Sequence, residues 1–255
     1  MGIGKTKRDR RKALRAVCKR VAAVLILGVL IVASMYTYNY MTTSGRFAIA
    51  DVKCSGIARV ERGEIEELLN DLPGQNILLA PLNSYEARLE SHPRIESVSL
   101  RRVLPNRVVC VVNEREPVAL VYTDRFVEVD RHAMVMSADE YTAILDIPII
   151  TGVPRGDLDL GKVSASPRLQ SALSALELCK SYGGEFAADI SELHVSERGV
   201  SIRSLKHDCV LMLGDTDYEK RLRKYFLLRD SMARRGEARM IDLRFEDQVV
   251  LRGQI

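Results

Sequence analysis

The chain has 255 residues, of which 47% are hydrophobic, enough for a packed core; only 5% are aromatic and Trp is absent, which argues against broad stacking platforms for sugars or bases. The formal charge of +4 hides an asymmetry: residues 1–20 hold nine basic residues (Lys5, Lys7, Arg8, Arg10, Arg11, Lys12, Arg15, Lys19 and Arg20) and one acid, Asp9, so that segment is +8 and the other 235 residues carry −4. A mildly acidic body lacks the cationic footprint that neutralises phosphates, which excludes a general nucleic-acid binder.

No charged residue occurs from 21 to 45. Residues 21–35 are almost continuously apolar, and Tyr36, Tyr38 and Tyr40 follow. A helix over 21–41 has the length that crosses ~30 Å of hydrocarbon, and the tyrosines suit the membrane–water interface. The basic flank (residues 1–20) precedes the helix, so the positive-inside rule places the N-terminus in the cytoplasm and the C-terminus outside it. A cleaved signal peptide is the competing reading, with Val32-Ala33-Ser34 as a small-residue site. The long basic region and the aromatic belt favour an uncleaved, single-pass anchor in the cytoplasmic membrane, with the bilayer itself as a partner.

Residues 42–46 form a polar hinge. Phe47, Ile49 and Val52 lead a strand to about Cys54, and Gly56 punctuates the turn. Residues 61–72 carry Ile65, Leu68, Leu69 and Leu72 at helical spacing, closed by Pro73-Gly74. A second helix starts at Asn83 or Ser84, with Glu86 completing a weak capping box and Tyr85 and Leu89 facing inward. Residues 95–102 and 107–113 form a hairpin about Pro105-Asn106. The order is β-α-α-β-β, ending near Pro117.

Short strands then dominate: 118–122, 126–129, 134–136 and 147–151, followed by a Gly/Pro/Asp-rich linker over 152–161. Ser166 caps a helix with Pro167 at its first position; Leu169, Ala172, Leu173 and Leu176 recur at helical spacing, and Gly183-Gly184 closes it. Strands follow at 190–195, 200–203 and 209–213. A basic helix over 217–235 turns Leu222, Tyr225, Phe226 and Met232 inward. The chain closes with strands over 240–245 and 249–252. The fold class is α+β: one N-terminal transmembrane helix, a β-α-α-β-β domain, and a larger β-rich domain with packed helices.

Catalytic signatures are missing: there is no G-x-S-x-G, H-E-x-x-H, P-loop or Gly-rich dinucleotide turn. His207-Asp208-Cys209 is the nearest approach to a catalytic cluster, and a turn at a strand edge accounts for it. Lys220, Arg221, Arg223 and Lys224 read either as a polyanion-binding patch or as a solvated helix face. The five cysteines (Cys18, Cys54, Cys110, Cys179, Cys209) include no CxxC pair, so zinc and thioredoxin-like chemistry are not indicated. The last four read as small core fillers or, in an oxidising compartment, as disulfide partners. No catalytic, metal-binding or cofactor-binding residue is expected. A strand that ends a chain often lies at a sheet edge, where it accepts a strand from another protein; the competing reading is that both terminal strands complete the core.

Several stretches resemble the FtsQ/DivIB family of bacterial cell-division proteins. Phe47-Ala-Ile-Ala-Asp-Val-Lys-Cys-Ser-Gly56 is similar to the opening strand of a POTRA domain, and Gly74-Gln-Asn-Ile-Leu78 to the G-x-N-hydrophobic segment. Pro93-Arg-Ile-Glu-Ser-Val98 with Arg101-Arg-Val-Leu-Pro-Asn-Arg-Val108, Glu114-Arg115-Glu-Pro117-Val-Ala119, and Ile241-Asp-Leu-Arg-Phe245 with Gln248-Val-Val-Leu-Arg252 resemble the later motifs. Arg94 stands where the family has Trp, and His132 where Gly follows the Asp turn. The resemblance implies a cytoplasmic tail (1–20), a membrane helix (21–41), a POTRA domain (46–117) and a β domain (118–255). It implies a non-enzymatic, essential-type divisome scaffold at the septum, linking early cytoplasmic to late periplasmic division proteins. The β domain would bind the small bitopic proteins FtsB and FtsL, with FtsB adding a strand beside Val249, Val250, Leu251 and Arg252. Arg244 would pair with an acidic partner residue, Phe245 would bury an aromatic face, and Arg198 is a weaker second salt-bridge candidate. The expectation is that charge reversal at Arg244 or Phe245→Ala abolishes FtsB binding with the fold intact. Val52, Lys53 and Gly56 would mark the POTRA recruitment surface for other divisome proteins. Two alternatives are a membrane-anchored wall enzyme and a POTRA-type outer-membrane assembly or secretion component; the second needs a following barrel for which no length remains.

Overall fold

A computed structural model describes residues 7–206, 208–233 and 239–253. The chain divides into two compact units, one of residues up to 56, 62–88 and 98–112, the other of residues 57–61, 89–97 and 113 onward.

The first unit begins with α1 (Lys7–Thr43), whose stretch Val17–Thr43 is long and apolar enough to cross a membrane and is wholly unburied. The helix is longer than the expected 21–41 because the Lys, Arg and Ala residues before it are good helix formers and simply continue it. At its other end the hydroxyls of Thr42 and Thr43 donate back to the carbonyls of Tyr38 and Asn39. Asn76 Nδ2 then donates to the last carbonyls, Met41 O at 2.8 Å and Thr42 O at 2.9 Å. These are groups that a helix terminus leaves without an internal partner.

Beyond a 3-10 turn (Gly45–Phe47), β1 (Asp51–Ser55), α2 (Arg62–Leu68), α3 (Leu82–Glu90), β2 (Ile95–Val103) and β3 (Arg107–Glu114) give the expected β-α-α-β-β order. The sheet order is β1-β3-β2, with β1 parallel to β3. Two boundaries differ from expectation. α2 stops at Leu68 rather than Leu72, since Asn70 and Asp71 are poor helix formers and Pro73 disfavours helical backbone at the residue before it. α3 begins at Leu82, so neither Asn83 nor Ser84 is its cap; the Ser84 hydroxyl donates to Pro81 O, and Glu86 accepts the Leu100 N–H at 2.6 Å instead of closing a capping box. Ile49, Ile65, Leu72, Ile77, Tyr85, Val108 and Cys110 are buried.

The second unit is built on a nine-stranded mixed sheet of order β12-β11-β10-β9-β8-β7-β4-β5-β6. Its strands are β4 (Ala119–Tyr122), β5 (Phe126–Val129), β6 (Val135–Ser137), β7 (Ile149–Thr151), β8 (Ile190–Ser196), β9 (Gly199–Ser204), β10 (Cys209–Gly214), β11 (Met240–Asp242) and β12 (Val250–Arg252). α4 (Pro167–Ser181), a short α5 (Gly184–Ala188) that the sequence pattern does not announce, and α6 (Tyr218–Ala233) cover one face. Alternation explains the layering: Cys209, Leu211 and Leu213 of β10 are buried with Leu222 and Tyr225 of α6, while Val210 and Met212 are half-buried on the other face. Tyr182 stacks on Phe226 with centroids 4.8 Å apart. Phe226 is thus an inner residue as expected, whereas the side chain of Met232 lies outside the described residues, as do residues 234 and 235 of the expected helix. Ser166 occupies the N-cap position and Pro167 follows, but the Ser166 hydroxyl donates to Asp157 Oδ2 at 2.6 Å and caps nothing.

Candidate functional site

β11 and β12 form the end of the large sheet. β10 and β11 run parallel, joined through α6, and β12 returns antiparallel with Ile241 opposite Leu251 and Asp242 opposite Val250. Leu251 and Val249 pack against the core, which fixes which way β12 faces. The strand sits at the rim of the sheet and, among the described residues, is hydrogen-bonded to β11 alone. The opposite rim is different. There Gly161 N–H donates to Val135 O, Val135 N–H to Lys162 O, and Ser164 N–H to Ala133 O, so residues 161–164 occupy the outer side of β6. Among the described residues, β12 has no such cover.

Both terminal strands are shorter than the expected 240–245 and 249–252. Arg244 is the reason for the first. Its backbone N–H donates to Asp242 Oδ1, and its Nε and Nη2 grip the two carboxylate oxygens of Asp242 at 2.8 and 2.6 Å. This local turn draws the chain out of the ladder. Asp242 is buried, and the Arg244 hydrogen bonds, opposed by burial, hold its carboxyl below the usual range. Charge reversal at Arg244 would therefore set a second carboxylate against Asp242, so that variant is expected to destabilise this end of the sheet as well as any partner contact. The next residue, Phe245, is 44% exposed.

α6 holds the loop between the two strands. Lys224 Nζ donates to the carbonyls of Phe245 and Glu246, and Lys220 pairs with Glu246 at 3.3 Å. Arg221 reaches Leu213 O, and Arg223 pairs with Glu219. The basic run is thus engaged by the protein itself.

Arg198 is exposed in the β8–β9 turn. Gly199 (φ +91°) and Gly214 (φ +80°) let that turn press on the end of β10: a Cβ on Gly199 would overlap the Gly214 backbone, and one on Gly214 would meet Arg244 Cγ at 3.1 Å. The structure therefore brings Arg198 and Arg244 to the same end of the sheet. Val52, Lys53 and Gly56 belong to the other unit, half-buried, exposed and exposed respectively along edge strand β1. Gly56 (φ +82°) is required there, since a Cβ would overlap Val112 O.

The His207-Asp208-Cys209 cluster gives no nucleophile. Cys209 is buried, and burial together with Asp189 pushes its thiol up, away from the reactive thiolate. His207 lies outside the described residues.

A second polar constellation escapes sequence reasoning. Glu128 on β5 is fully buried and accepts from Arg59 Nη2 at 2.6 Å, Arg94 Nη1 at 3.0 Å and Thr142 Oγ1 at 2.5 Å. Asp139 joins both arginines, at 2.5 and 2.8 Å. Two guanidinium groups and two carboxylates balance. All lie in the second unit. Glu114 accepts the backbone N–H groups of Ala58, Arg59 and Val60, and Arg115 pairs with Asp130 at 2.8 Å. The Glu114-Arg115 motif is thereby accounted for as structural.

Residues 47–115 match the family model of the FtsQ-type POTRA domain, and residues 119–244 match that of the C-terminal region of the cell-division proteins FtsQ/DivIB. Strand β12 lies beyond the second match. A protein of Myxococcus fulvus named cell division protein FtsQ is 27% identical over 253 residues, covering 93% of this chain and 89% of that one. A namesake from Anaeromyxobacter is 28% identical over 89% of this chain and 78% of its own length, and one from Geobacter 26% identical over 84% and 79%. With both halves of the folded region matched in order behind an apolar helix, the chain belongs to the FtsQ/DivIB family of bacterial cell-division proteins.

Proposed function

We propose that this protein is a bitopic divisome scaffold whose β12 edge receives a β-strand from FtsB, with FtsL-like proteins joining the same assembly. The observation that carries the reading is the asymmetry of the large sheet, whose β6 rim is covered by residues 161–164 while, among the described residues, β12 pairs on one side only. Main-chain hydrogen bonds would supply affinity. Phe245, exposed beside the edge, would be the aromatic anchor of the kind that dominates interface energies. Arg244 would offer an acidic partner residue Nη1, which has no hydrogen bond among the described residues while N, Nε and Nη2 hold Asp242, and Arg198 at the same end of the sheet would make a second charge pair. The basic tail would lie in the cytoplasm, residues 21–41 in the bilayer, the POTRA domain (46–117) next to it and the β domain (118–255) beyond, outside the cytoplasm. Val52, Lys53 and Gly56 would serve recruitment by other divisome proteins at the septum.

Proline scanning of β12 tests the edge. Successive N–H groups point to opposite sides of a strand, so of Val250→Pro and Leu251→Pro one loses the donor facing β11 and the other the donor facing outward. The outward-facing variant is expected to stay folded and lose binding to the extracytoplasmic segment of FtsB. Wild-type affinity in both variants would sink the assignment. Phe245→Ala is expected to weaken binding by about 2 kcal/mol with unchanged thermal stability.

A further inference from the structure

Cys54 of β1 and Cys110 of β3 are direct register partners in a parallel ladder. Partners on adjacent strands lie ~4.8 Å apart with side chains on the same face, inside the Cα separation of about 4.4–6.8 Å that a disulfide spans. The two sulfurs differ in access. Cys110 is fully buried, whereas Cys54 is half-buried at an edge strand and open to a reagent from solvent. They also differ in state. A hydrogen bond from the Cys110 thiol, opposed by burial, brings Cys54 down to about 7, while that same contact and burial push Cys110 up. An accessible thiolate beside a buried thiol is the division of labour of an attacking and a resolving cysteine. Cys179 shows the contrast: it is buried within α4, and burial alone pushes it up to about 12.

We propose that Cys54 and Cys110 form a cross-strand disulfide that staples β1 to β3, made by exchange with a disulfide-bearing oxidant of the extracytoplasmic space. The proposal rests on the reading that the folded region is exported. Cys54 thiolate attacks one sulfur of the oxidant's disulfide; that bond breaks, and the oxidant's second sulfur leaves and takes up a proton. Cys110 then loses its proton and attacks Cys54 Sγ, releasing the oxidant's first sulfur as a thiol. Two cysteine thiols are oxidised by two electrons, and one disulfide is reduced to two thiols. The staple closes the chain between residues 54 and 110, and it secures an edge strand that hydrogen-bonds only to β3 on its sheet. β1 is also the first strand after the membrane helix.

Thiol counting on the full chain tests this. Cells are quenched in acid, and the denatured protein is alkylated before and after reduction. With five cysteines in the chain, the expected count is three alkylated thiols before reduction and five after, with non-reducing digestion yielding a peptide pair joining Cys54 to Cys110. Cys54→Ala and Cys110→Ser should each show four thiols in both states. Reductant should lower the thermal midpoint of the wild type and leave both variants unmoved. In detergent, the purified full chain treated with glutathione disulfide should give the same joined peptides; their absence there overturns the pairing whatever the compartment. A Glu197→Cys reporter, labelled in intact cells by a membrane-impermeant maleimide, separates the two readings. If the reporter reacts while Cys54 and Cys110 stay reduced in cells, the disulfide alone is refuted. If the reporter does not react, the topology fails and the disulfide falls with it.

Discussion

In the second unit two arginines converge on the buried carboxylate of Glu128. Glu128 accepts from Arg59, Arg94 and Thr142, and Asp139 pairs with both arginines, so the desolvation of the two carboxylates is offset by partners, while Arg59 Nε and Nη1 are buried with no partner among the described residues. Removing one member leaves the others charged and buried. Arg94→Ala is expected to cost about 3–5 kcal/mol, measured by urea unfolding of the full chain in detergent. Arg94→Trp should also destabilise, although Trp is the residue the family resemblance leads one to expect there, because Trp cannot answer Glu128. Asp242 gives a pH prediction. Its folded-state pKa is depressed, so the Arg244 pair contributes stability above the unfolded value near 3.9 and loses it as pH falls through the lower folded value. Thermal unfolding between pH 6 and pH 2 should show this loss, and Asp242→Asn should flatten it. None of the Glu128 cluster was legible in the sequence. Arg59 and Asp139 are 80 positions apart, and a Glu between two valines on β5 reads as a solvent-facing residue on an alternating strand until the arginines cover it.

Elements were easier to read than the contacts between them, because hydrophobic periodicity and Gly/Pro punctuation act locally. The β-α-α-β-β order, the hairpin of β2 and β3, and helices α4 and α6 all follow the pattern of apolar spacing. Ends were harder. The Ser166 hydroxyl is drawn to Asp157, the Arg244 side chain folds back on Asp242, and both interactions act across turns that periodicity does not encode. The Gln75-Asn76 step carries a further role. Asn76 caps the carbonyl end of α1, and Asn76→Ala is expected to destabilise the first unit by about 1 kcal/mol and to speed amide exchange in residues 44–50. At the other end of the chain, Lys224→Ala should release the loop between β11 and β12. Faster exchange in residues 243–249, with the α6 amides unchanged, is the expected signature.

For the molecule as a whole, the proposed orientation rests on the basic tail. Nine basic residues precede the apolar helix and no charged residue occurs from 21 to 45, a bias that favours insertion with the basic end in the cytoplasm. Replacing the basic residues of 5–20 by Gln is expected to yield mixed topology, scored with reporters fused at each end; a uniform wild-type orientation would refute the role given to the tail. The open rim of the sheet was legible only as a strand at the chain's end, since whether such a strand is flanked on one side or two is decided by residues far away, such as 161–164 at β6. Because that second rim is filled, only one flank is open to an added strand among the described residues. On the proposed function a single guest would complete it, and two copies meeting through that flank would close into a two-fold pair instead of growing into a fibre. Each chain would then be one berth, and a cell that doubled the guest without the host is expected to gain no further complexes.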